Sequence, residues 1–239
     1  MLDCISVENM RRSDALTIHN HVPSLELMSR AAQGVFRAVR WQGPVAIVAG
    51  SGNNGGDGFA LACILHAHQI PCTVFTVSDH FSGDSAYYAQ KARDSGVNIF
   101  SFTESCLQGF HTTVDCLLGT GFQGGLREAY KDAILAINTS GTYVVSVDIN
   151  SGMNGDTGLG DPAVVSDLTV TIGYIKKGLI TPQAGSRMKR LVCADIGIVL
   201  ESKEDCLLSS AEWDALSHQP NFHLCPPWVE PTPIRAYEE

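Results

Sequence analysis

Hydrophobic and polar positions along this chain follow a pattern that predicts strands alternating with helices. From residue 45 onwards, short apolar runs rich in β-branched residues are followed by longer stretches of helix-forming residues. Strands that alternate with helices pair in parallel through right-handed crossovers. The pattern therefore predicts an α/β fold, a Rossmann-like, doubly wound and mostly parallel sheet with helices on both faces. The predicted strands are residues 45–49, 72–77, 98–100, 113–118, 142–147, 168–172 and 191–194, and the predicted helices between them are residues 57–68, 84–95 and 126–138.

Two helices are predicted ahead of the sheet. Ser6 is suited to cap the first, and apolar side chains recur at helical spacing after Pro23. We interpret residues 1–42 as a helical extension of one domain that spans residues 1–200. Residues 201–239 differ in composition, with eight acids, two bases and five of the ten prolines, and we interpret them as an acidic, proline-rich tail.

Three polar, glycine-rich segments follow predicted strands. They cover residues 50–58, 119–125 and 148–158, and we interpret the first as a turn between a strand and a helix. The carboxyl ends of parallel strands lie at one edge of the sheet, where ligands bind in folds of this kind. Backbone N–H groups that no side chain covers, close to a helix N-terminus, suit a phosphate group. The three segments therefore predict one composite pocket for an anionic ligand.

The composition narrows the classes of partner. The chain has 239 residues, a hydrophobic fraction of 44% and a formal net charge of −9, which argues against nucleic acid as a partner. No apolar run reaches the roughly 18 residues of a membrane-spanning helix, and the N-terminus lacks the basic and apolar regions of a signal peptide. We therefore expect a cytoplasmic protein without a membrane partner. Its eight cysteines include no Cys-x-x-Cys pair, so the sequence does not favour a zinc site.

The glycine-rich segments also contain specific motifs. Residues 52–58 read Gly-Asn-Asn-Gly-Gly-Asp-Gly, residues 118–121 read Leu-Gly-Thr-Gly, and residues 147–152 read Val-Asp-Ile-Asn-Ser-Gly. Together they resemble the NAD(P)H-hydrate epimerases, which carry the YjeF N-terminal domain, and the resemblance covers about residues 5–200. It implies an isomerase that interconverts the R and S epimers of hydrated NADH and NADPH, called NAD(P)HX, in nicotinamide nucleotide repair. It also implies a separate NAD(P)HX dehydratase as the functional partner.

The resemblance implies roles for particular residues. One potassium ion per subunit is expected on Asn54, Asp115 and Ser151, whose carboxylate, amide and hydroxyl oxygens suit a hard cation. A homodimer is expected as well. The residues expected to bind the substrate are Asn53, Asn54, Gly55, Gly56, Asp57, Gly119, Thr120, Gly121, Phe122, Gln123, Gly124, Gly125 and Asp148.

Asp148 is the first catalytic candidate. Epimerisation at C6 of the reduced nicotinamide ring requires a bond to that carbon to break, and the ring nitrogen can expel the hydroxyl to leave an iminium-like cation. A carboxylate beside the ring can act as general acid and base and can stabilise this cation. Lys176 is a second candidate that would orient a phosphate or the carboxylate, and a surface lysine is an equally good interpretation of it. The family usually has proline where Asn150 stands, so Asn150 either loosens this turn or donates a new hydrogen bond.

Two other functions stay open at this point. One is a non-catalytic nucleotide-binding or scaffold module, since domains of this type also occur in RNA-decay scaffold proteins. The other is a general Rossmann-type oxidoreductase, because Gly50, Gly52 and Gly55 fit the G-x-G-x-x-G pattern of dinucleotide-binding proteins. The second predicted strand ends at residues 76–78 without an acidic residue to bind a ribose hydroxyl, which argues against the oxidoreductase.

Overall fold

The computed structural model describes residues 4–122, 124–202 and 223–224, which form layers of helices around a parallel sheet. The strands are β1 (Cys4–Ile5), β2 (Val45–Ala49), β3 (Cys72–Thr76), β4 (Asn98–Ser101), β5 (Thr112–Cys116), β6 (Tyr143–Val147), β7 (Leu168–Ile172), β8 (Ile175–Lys176), β9 (Arg190–Ala194) and β10 (His223–Leu224). The helices are α1 (Val7–Asn20), α2 (Ser24–Ala38), α3 (Asn53–Ala67), α4 (Gly83–Asp94), α5 (Glu128–Thr139) and α6 (Pro182–Gly185), with a 3-10 helix at Lys177–Ile180. No helix in the described ranges has the length and hydropathy needed to cross a membrane.

The predicted tail is largely beyond this description. Residues 203–222 and 225–239 lie outside the described residues. The predicted domain boundary at residue 200 and the interpretation of residues 201–239 as a tail therefore stay predictions.

The main sheet of the described residues contains eight parallel strands in the order β10-β9-β7-β6-β5-β2-β3-β4. From β2 the chain moves outward through β3 to β4, then returns to the other side of β2 with β5 and continues through β6 and β7. The direction of winding therefore reverses between β2 and β5. A reversal of this kind opens a crevice at the carboxyl ends of the two strands. The predicted Rossmann-like, doubly wound parallel sheet is confirmed.

Strand β2 is buried along its whole length and separates two hydrophobic cores. Val45, Ile47 and Ala49 pack in the core that includes side chains of α2, α3 and α4. Ala46 and Val48 pack in the core under α5. Successive side chains of a strand point to opposite faces of the sheet, so this alternation requires helices on both faces, as predicted.

A second, two-stranded sheet fixes the N-terminal segment. Strand β1 pairs in parallel with β8, and Ile5 lies opposite Lys176. Helix α1 begins shortly after β1 with the predicted cap, since Ser6 Oγ accepts a hydrogen bond from the N–H of Asn9 at 3.1 Å. The pairing thus brings the start of α1 next to β8. Strands of two residues have too little alternation to be predicted from sequence.

Helix α3 begins at Asn53, earlier than the predicted start at residue 57. The interpretation of the whole first glycine-rich segment as a turn is therefore wrong, because its second half forms the first turn of the helix. Glycine in a helix costs about 1 kcal/mol relative to alanine, and close packing explains why it is tolerated here. A Cβ on Gly55 would lie 2.0 Å from the carbonyl oxygen of Gly50, and a Cβ on Gly56 would lie 2.7 Å from Cε of Met28.

Asn150 stabilises the segment after β6 through its side chain. The residue is fully buried. Its Nδ2 donates to the carbonyl oxygens of Val164 and Arg187 at 3.0 and 2.9 Å and to Ser166 Oγ at 3.1 Å, and its Oδ1 accepts from Thr169 Oγ1 at 2.6 Å. Of the two interpretations from sequence, the new hydrogen bonds are the correct one. Asn150 holds the turn after Asp148 against two other segments.

We expect Asn150→Ala to lower the free energy of unfolding by about 2–3 kcal/mol, because it leaves buried carbonyl and hydroxyl groups without partners. Urea denaturation followed by circular dichroism measures this change. Asn98→Ala is the matched control, because Asn98 is exposed at the edge strand β4. Equal destabilisation of the two variants would contradict the structural role of Asn150.

Candidate active site

A cavity of about 850 Å³ opens at the carboxyl ends of β2 and β5. Its polar wall is formed by the start of α3, by residues 117–122 after β5, and by Asp148 after β6. Its apolar wall comes from α1 and α2, with Met10, Leu27 and Met28. A cavity of this volume, with convergent polar groups on an apolar base, is the usual form of a small-molecule site.

Most of the residues predicted to bind substrate face this cavity. The cavity-lining members of that set are Asn53, Asn54, Asp57, Gly119, Thr120, Gly121, Phe122, Gly125 and Asp148. Gly55 and Gly56 are buried behind the wall, where they allow α3 to pack closely. Gly124 has a φ of 95° and lies outside the lining, and Gln123 is outside the described residues. Two of the three glycine-rich segments thus meet at one cavity, and the third contributes Asp148.

Asp148 and Lys176 form an ion pair at the cavity wall. Lys176 Nζ donates to Asp148 Oδ1 at 2.5 Å, and the exposed fractions of the two side chains are 1% for Lys176 and 13% for Asp148. Asp148 has a φ of 69°, a left-handed conformation that aspartate and asparagine adopt more readily than most residues. Its Oδ2 accepts from the N–H of Thr120 at 3.4 Å. The pair therefore joins the end of β6 to β8 and to the loop after β5.

The other two hydrogen bonds of Lys176 are internal. Its Nζ donates to the carbonyl oxygen of Ile172 at 2.6 Å and to Thr171 Oγ1 at 3.1 Å. An ammonium group has three protons, and each has an acceptor here. Lys176 is therefore a buried lysine rather than a surface one. Its three protons are all used within the protein, so it orients the carboxylate of Asp148 and not a phosphate.

Asp115 is fully buried in β5, and its carboxylate is held by four hydrogen bonds. Oδ1 accepts from Ser151 Oγ at 2.5 Å and from the N–H of Leu117 at 3.2 Å. Oδ2 accepts from Ser146 Oγ and from the N–H of Ser151, both at 2.9 Å. Burial raises the pKa of Asp115, and these hydrogen bonds act in the opposite direction. The carboxylate ties β5 to β6 and to the segment after β6.

Asn54 and Ser151 meet at the backbone of Leu118. Asn54 Nδ2 donates to the carbonyl oxygen of Leu118 at 3.0 Å, and Ser151 Oγ accepts from the N–H of Leu118 at 2.9 Å. Asn54 is only 6% exposed, and its Oδ1 is buried without a hydrogen-bond partner among the described residues. A buried acceptor without a donor is costly, and a cation would satisfy it. The residues at this point fit an oxygen-coordinated ion, and the fit is clearest for Asn54.

Asp14 in α1 is a cavity residue that the sequence alone did not indicate. Burial raises the pKa of Asp14 to about 6, with the ammonium of Lys176 acting in the opposite direction and the charge of Asp148 adding to the rise. Burial also raises the pKa of Asp57 well above its ordinary value, and the charges of Asp148 and Asp14 add to this effect. Asp14, Asp57 and Asp148 thus place three of the carboxyl groups of the cavity wall near one ammonium group. The only sequence signal for Asp14 was its spacing. It follows the apolar Met10 by one helical turn, so the two side chains lie on the same side of the helix.

Comparison with known sequences gives a consistent set of relatives. The sequence profile of the family described as YjeF-related protein N-terminus matches residues 24–178. The NAD(P)H-hydrate epimerase of Limosilactobacillus fermentum is 35% identical over 198 residues, which cover 80% of this chain and 95% of that protein. The bifunctional NAD(P)H-hydrate repair enzyme Nnr of Coxiella burnetii is 33% identical over 196 residues. That match covers 79% of this chain and 40% of the relative, so this chain spans less than half of the bifunctional protein.

The fold is also found in a solved structure. The crystal structure of the yeast protein ynu0 (YNL200c) matches with a TM-score of 0.64 and a sequence identity of 22%. The match covers 74% of this chain and 83% of the yeast chain. At this identity the likeness shows that the two chains share a fold.

The raised pKa of Asp14 predicts a pH-dependent stability. The folded state binds this proton more tightly than the unfolded state, so the contribution of Asp14 is full below its ordinary pKa of 3.8 and is lost as the pH rises through about 6. The loss is at most about 3 kcal/mol for a shift of about two pH units. We therefore expect the stability of Asp14→Asn to increase relative to the original protein between about pH 4 and about pH 7.

Urea denaturation across this pH range is the measurement. The matched control is Asp79→Asn, in which the exposed Asp79 is replaced. Parallel pH curves for the Asp14→Asn variant and the original protein would contradict the assigned burial of Asp14.

Proposed function

The chain belongs to the family of YjeF-related N-terminal domains, and we propose that it is an isomerase that interconverts the R and S epimers of hydrated NADH and NADPH. The observation that carries this proposal is the buried ion pair of Asp148 and Lys176 at the wall of the cavity, which opens at the carboxyl ends of β2 and β5. The relative named NAD(P)H-hydrate epimerase supports an enzyme over a scaffold module or an oxidoreductase, because the match extends over nearly all of that protein.

The reaction needs a group that handles a proton beside C6 of the reduced nicotinamide ring. The ring nitrogen lone pair expels the hydroxyl, which leaves as water after receiving a proton, and the ring becomes an iminium cation. Water then adds to the other face of C6 and releases one proton, so protons and electrons balance. Asp148 stabilises the cation and takes or returns the proton. Lys176 holds the carboxylate of Asp148 in place, and the backbone of Asp148 has a left-handed conformation.

The diphosphate of the substrate is bound by backbone amides. The start of α3 presents free N–H groups near Asn53, and a helix N-terminus favours negative charge. Gly119, Thr120 and Gly121 line the facing wall, and glycine allows close approach of a ligand to the backbone. Arg11 lies at the same wall and donates to the carbonyl oxygen of Thr120 at 2.9 Å. These groups offset the carboxylates of the cavity for an anionic substrate.

A potassium ion would be held at the meeting point of Asn54, Asp115 and Ser151. The free Oδ1 of Asn54 is the main support for this site. Each oxygen of Asp115 already accepts two hydrogen bonds, so Asp115 supplies charge and orients Ser151. A bound cation would supply charge that draws the segments after β2, β5 and β6 together and offsets the diphosphate.

The remaining proposals concern partners and location. The name of the Coxiella burnetii relative joins two activities of NAD(P)H-hydrate repair in one protein. For this chain we propose a separate NAD(P)HX dehydratase as the functional partner, a homodimer as the assembly, and the cytoplasm as the location.

Asp148→Asn tests the proposed activity. Asparagine tolerates the φ of 69° and still accepts a hydrogen bond from Lys176, but it leaves the buried ammonium without its charge partner, so thermal unfolding first verifies that the variant is folded at the assay temperature. We expect epimerisation of hydrated NADH, measured above the uncatalysed rate by chromatography of the R and S forms, to fall about 100- to 10,000-fold. Asp94→Asn, at the exposed end of α4, serves as control. An original protein with no rate above background would refute the function, and an active Asp148→Asn variant would refute the role of Asp148.

Asn54→Ala tests the potassium site. We expect potassium, but not tetramethylammonium, to stabilise the original protein, by about 1.4 kcal/mol when the ion is at ten times its Kd. The Asn54→Ala variant should lose this response because the free oxygen is absent. Asn53→Ala is the matched control, since Asn53 is exposed and adjacent. Thermal unfolding in the two salts is the measurement, and identical unfolding temperatures for the original protein would remove the site.

A further inference from the structure

Asp14 lines the same cavity as Asp148 but is carried by a different element. It lies within α1, one helical turn after Met10, which also faces the cavity. The parallel pairing of β1 with β8 brings this part of the chain to Lys176. The charges of Lys176 and Asp148 both act on Asp14. The cavity therefore receives carboxyl groups from several separate parts of the chain, among them α1 and the segment after β6.

The position of α1 is fixed by residues other than Asp14. Ser13 Oγ accepts a hydrogen bond from the N–H of Glu201 at 3.0 Å, and Thr17 Oγ1 accepts from the N–H of Val199 at 2.9 Å. Ser13 and Thr17 are both buried, and both bind the segment that follows β9. These contacts attach the helix to the domain, so Asp14 is not needed to hold it.

The carboxyl group of Asp14 has no protein partner in the parts of the chain that the structure describes. No hydrogen bond and no ion pair joins it to those residues, although it is partly buried. A partly buried carboxyl group without a donor is unfavourable unless water, a ligand or a proton satisfies it. The nearby Asp148 is paired with an ammonium group, whereas Asp14 faces the cavity directly. Among the described residues nothing satisfies this group, which leaves a proton or the contents of the cavity.

We propose that Asp14 is a second acid–base residue of the epimerisation, which donates a proton to the departing C6 hydroxyl while Asp148 carries the negative charge beside the ring. The proposal rests on the proposed function. Two carboxyl groups in unlike environments divide the roles of acid and base, and the group beside a cation is the ionised one. The apolar wall beside Met10 and the carboxylates nearby favour a proton on Asp14.

The step balances without any further reactant. The protonated carboxyl of Asp14 gives its proton to the hydroxyl, the C6–O bond breaks with its electron pair on the oxygen, and water departs. The nitrogen lone pair forms the N1=C6 bond. Water then attacks the other face of C6, the electron pair returns to nitrogen, and the proton released by this water passes to Asp148. Exchange with solvent returns the proton to Asp14, so no net proton is consumed.

The pH dependence of this step involves every charged group around Asp14. Burial raises the pKa of Asp57 well above its ordinary value, with the charges of Asp148 and Asp14 adding to the rise, and burial raises the pKa of Asp14 to about 6. A titration of activity near pH 6 that disappears in Asp14→Asn is the signature of Asp14. Lys176 and Asp148 are the charges that act on Asp14. The other charged groups of the cavity wall are Arg11, Asp57, Asp84 and Arg127, and Arg12 of α1 pairs with Glu201.

The test compares Asp14→Asn, Asp14→Glu and Glu8→Gln as full-length proteins with hydrated NADH as substrate. Glu8 is exposed on the same helix, so Glu8→Gln removes the same charge from α1 outside the cavity. We expect kcat/KM of the original protein to fall as the pH rises through about 6. Asp14→Asn should lower kcat about 100-fold with little change in KM and should abolish this titration. Asp14→Glu should restore part of the rate and the titration, and Glu8→Gln should match the original protein.

Several results would overturn the proposal. If the Asp14→Asn variant keeps the original kcat and the original pH profile, Asp14 has no acid–base role. An Asp14→Glu variant that folds but is as inactive as Asp14→Asn, without a titration near pH 6, would indicate a requirement for shape alone. If Asp14→Asn does not fold, as judged by thermal unfolding, the Asp14→Glu profile decides. An original protein without epimerase activity refutes the proposed function itself, whereas an active original protein with an equally active Asp14→Asn variant refutes only the role of Asp14.

Discussion

The buried charge of Lys176 is the constraint on which the site depends. An ammonium group at 1% exposure is tolerated only when every proton has an acceptor and a negative charge lies close by. Thr171 and Ile172 at the end of β7 provide two neutral acceptors, and Asp148 provides the charge. Asp148 reaches Lys176 from a left-handed backbone position at φ 69°, just where β6 ends. The ion pair therefore fixes the carboxylate that the proposed chemistry places beside the ring.

The strand that carries this lysine also leads to the N-terminal helix. Lys176 lies in β8, β8 pairs with β1, and α1 follows β1 after Ser6. Helix α1 then brings Asp14 to the cavity. The cavity gains a further carboxyl group, while Lys176 is the only ammonium group among the described residues that line it, so burial dominates at Asp14 and raises its pKa to about 6. One cation shared among several carboxyl groups leaves some of them protonated at a pH where an isolated carboxyl group is ionised.

The sequence was sufficient for the sheet because strand and helix periods alternate clearly from residue 45 onwards. It was insufficient where tertiary packing outweighs local preference. Helix α3 begins within a run of glycines, and only the close approach of Gly55 to the carbonyl oxygen of Gly50 explains that start. Lys176 could not be distinguished from a surface lysine, because its burial depends on a pairing between two-residue strands. Asp14 looked like one acid among others on a helix until the same pairing placed it in the cavity.

The neighbourhood of Asp115 shows how the carboxyl edge of the sheet can attract a cation while its own carboxylate is already satisfied. Four donors stabilise the negative charge of Asp115, so the carboxylate needs no further partner. The free oxygen is instead on Asn54, a neutral group that is connected to Asp115 through Leu118 and Ser151. Neutral oxygens beside a buried negative charge hold a large monovalent cation more suitably than a small divalent one, which requires direct carboxylate ligands. At the proposed cation site, the hydrogen bonds of Asp115 are the argument for potassium rather than magnesium.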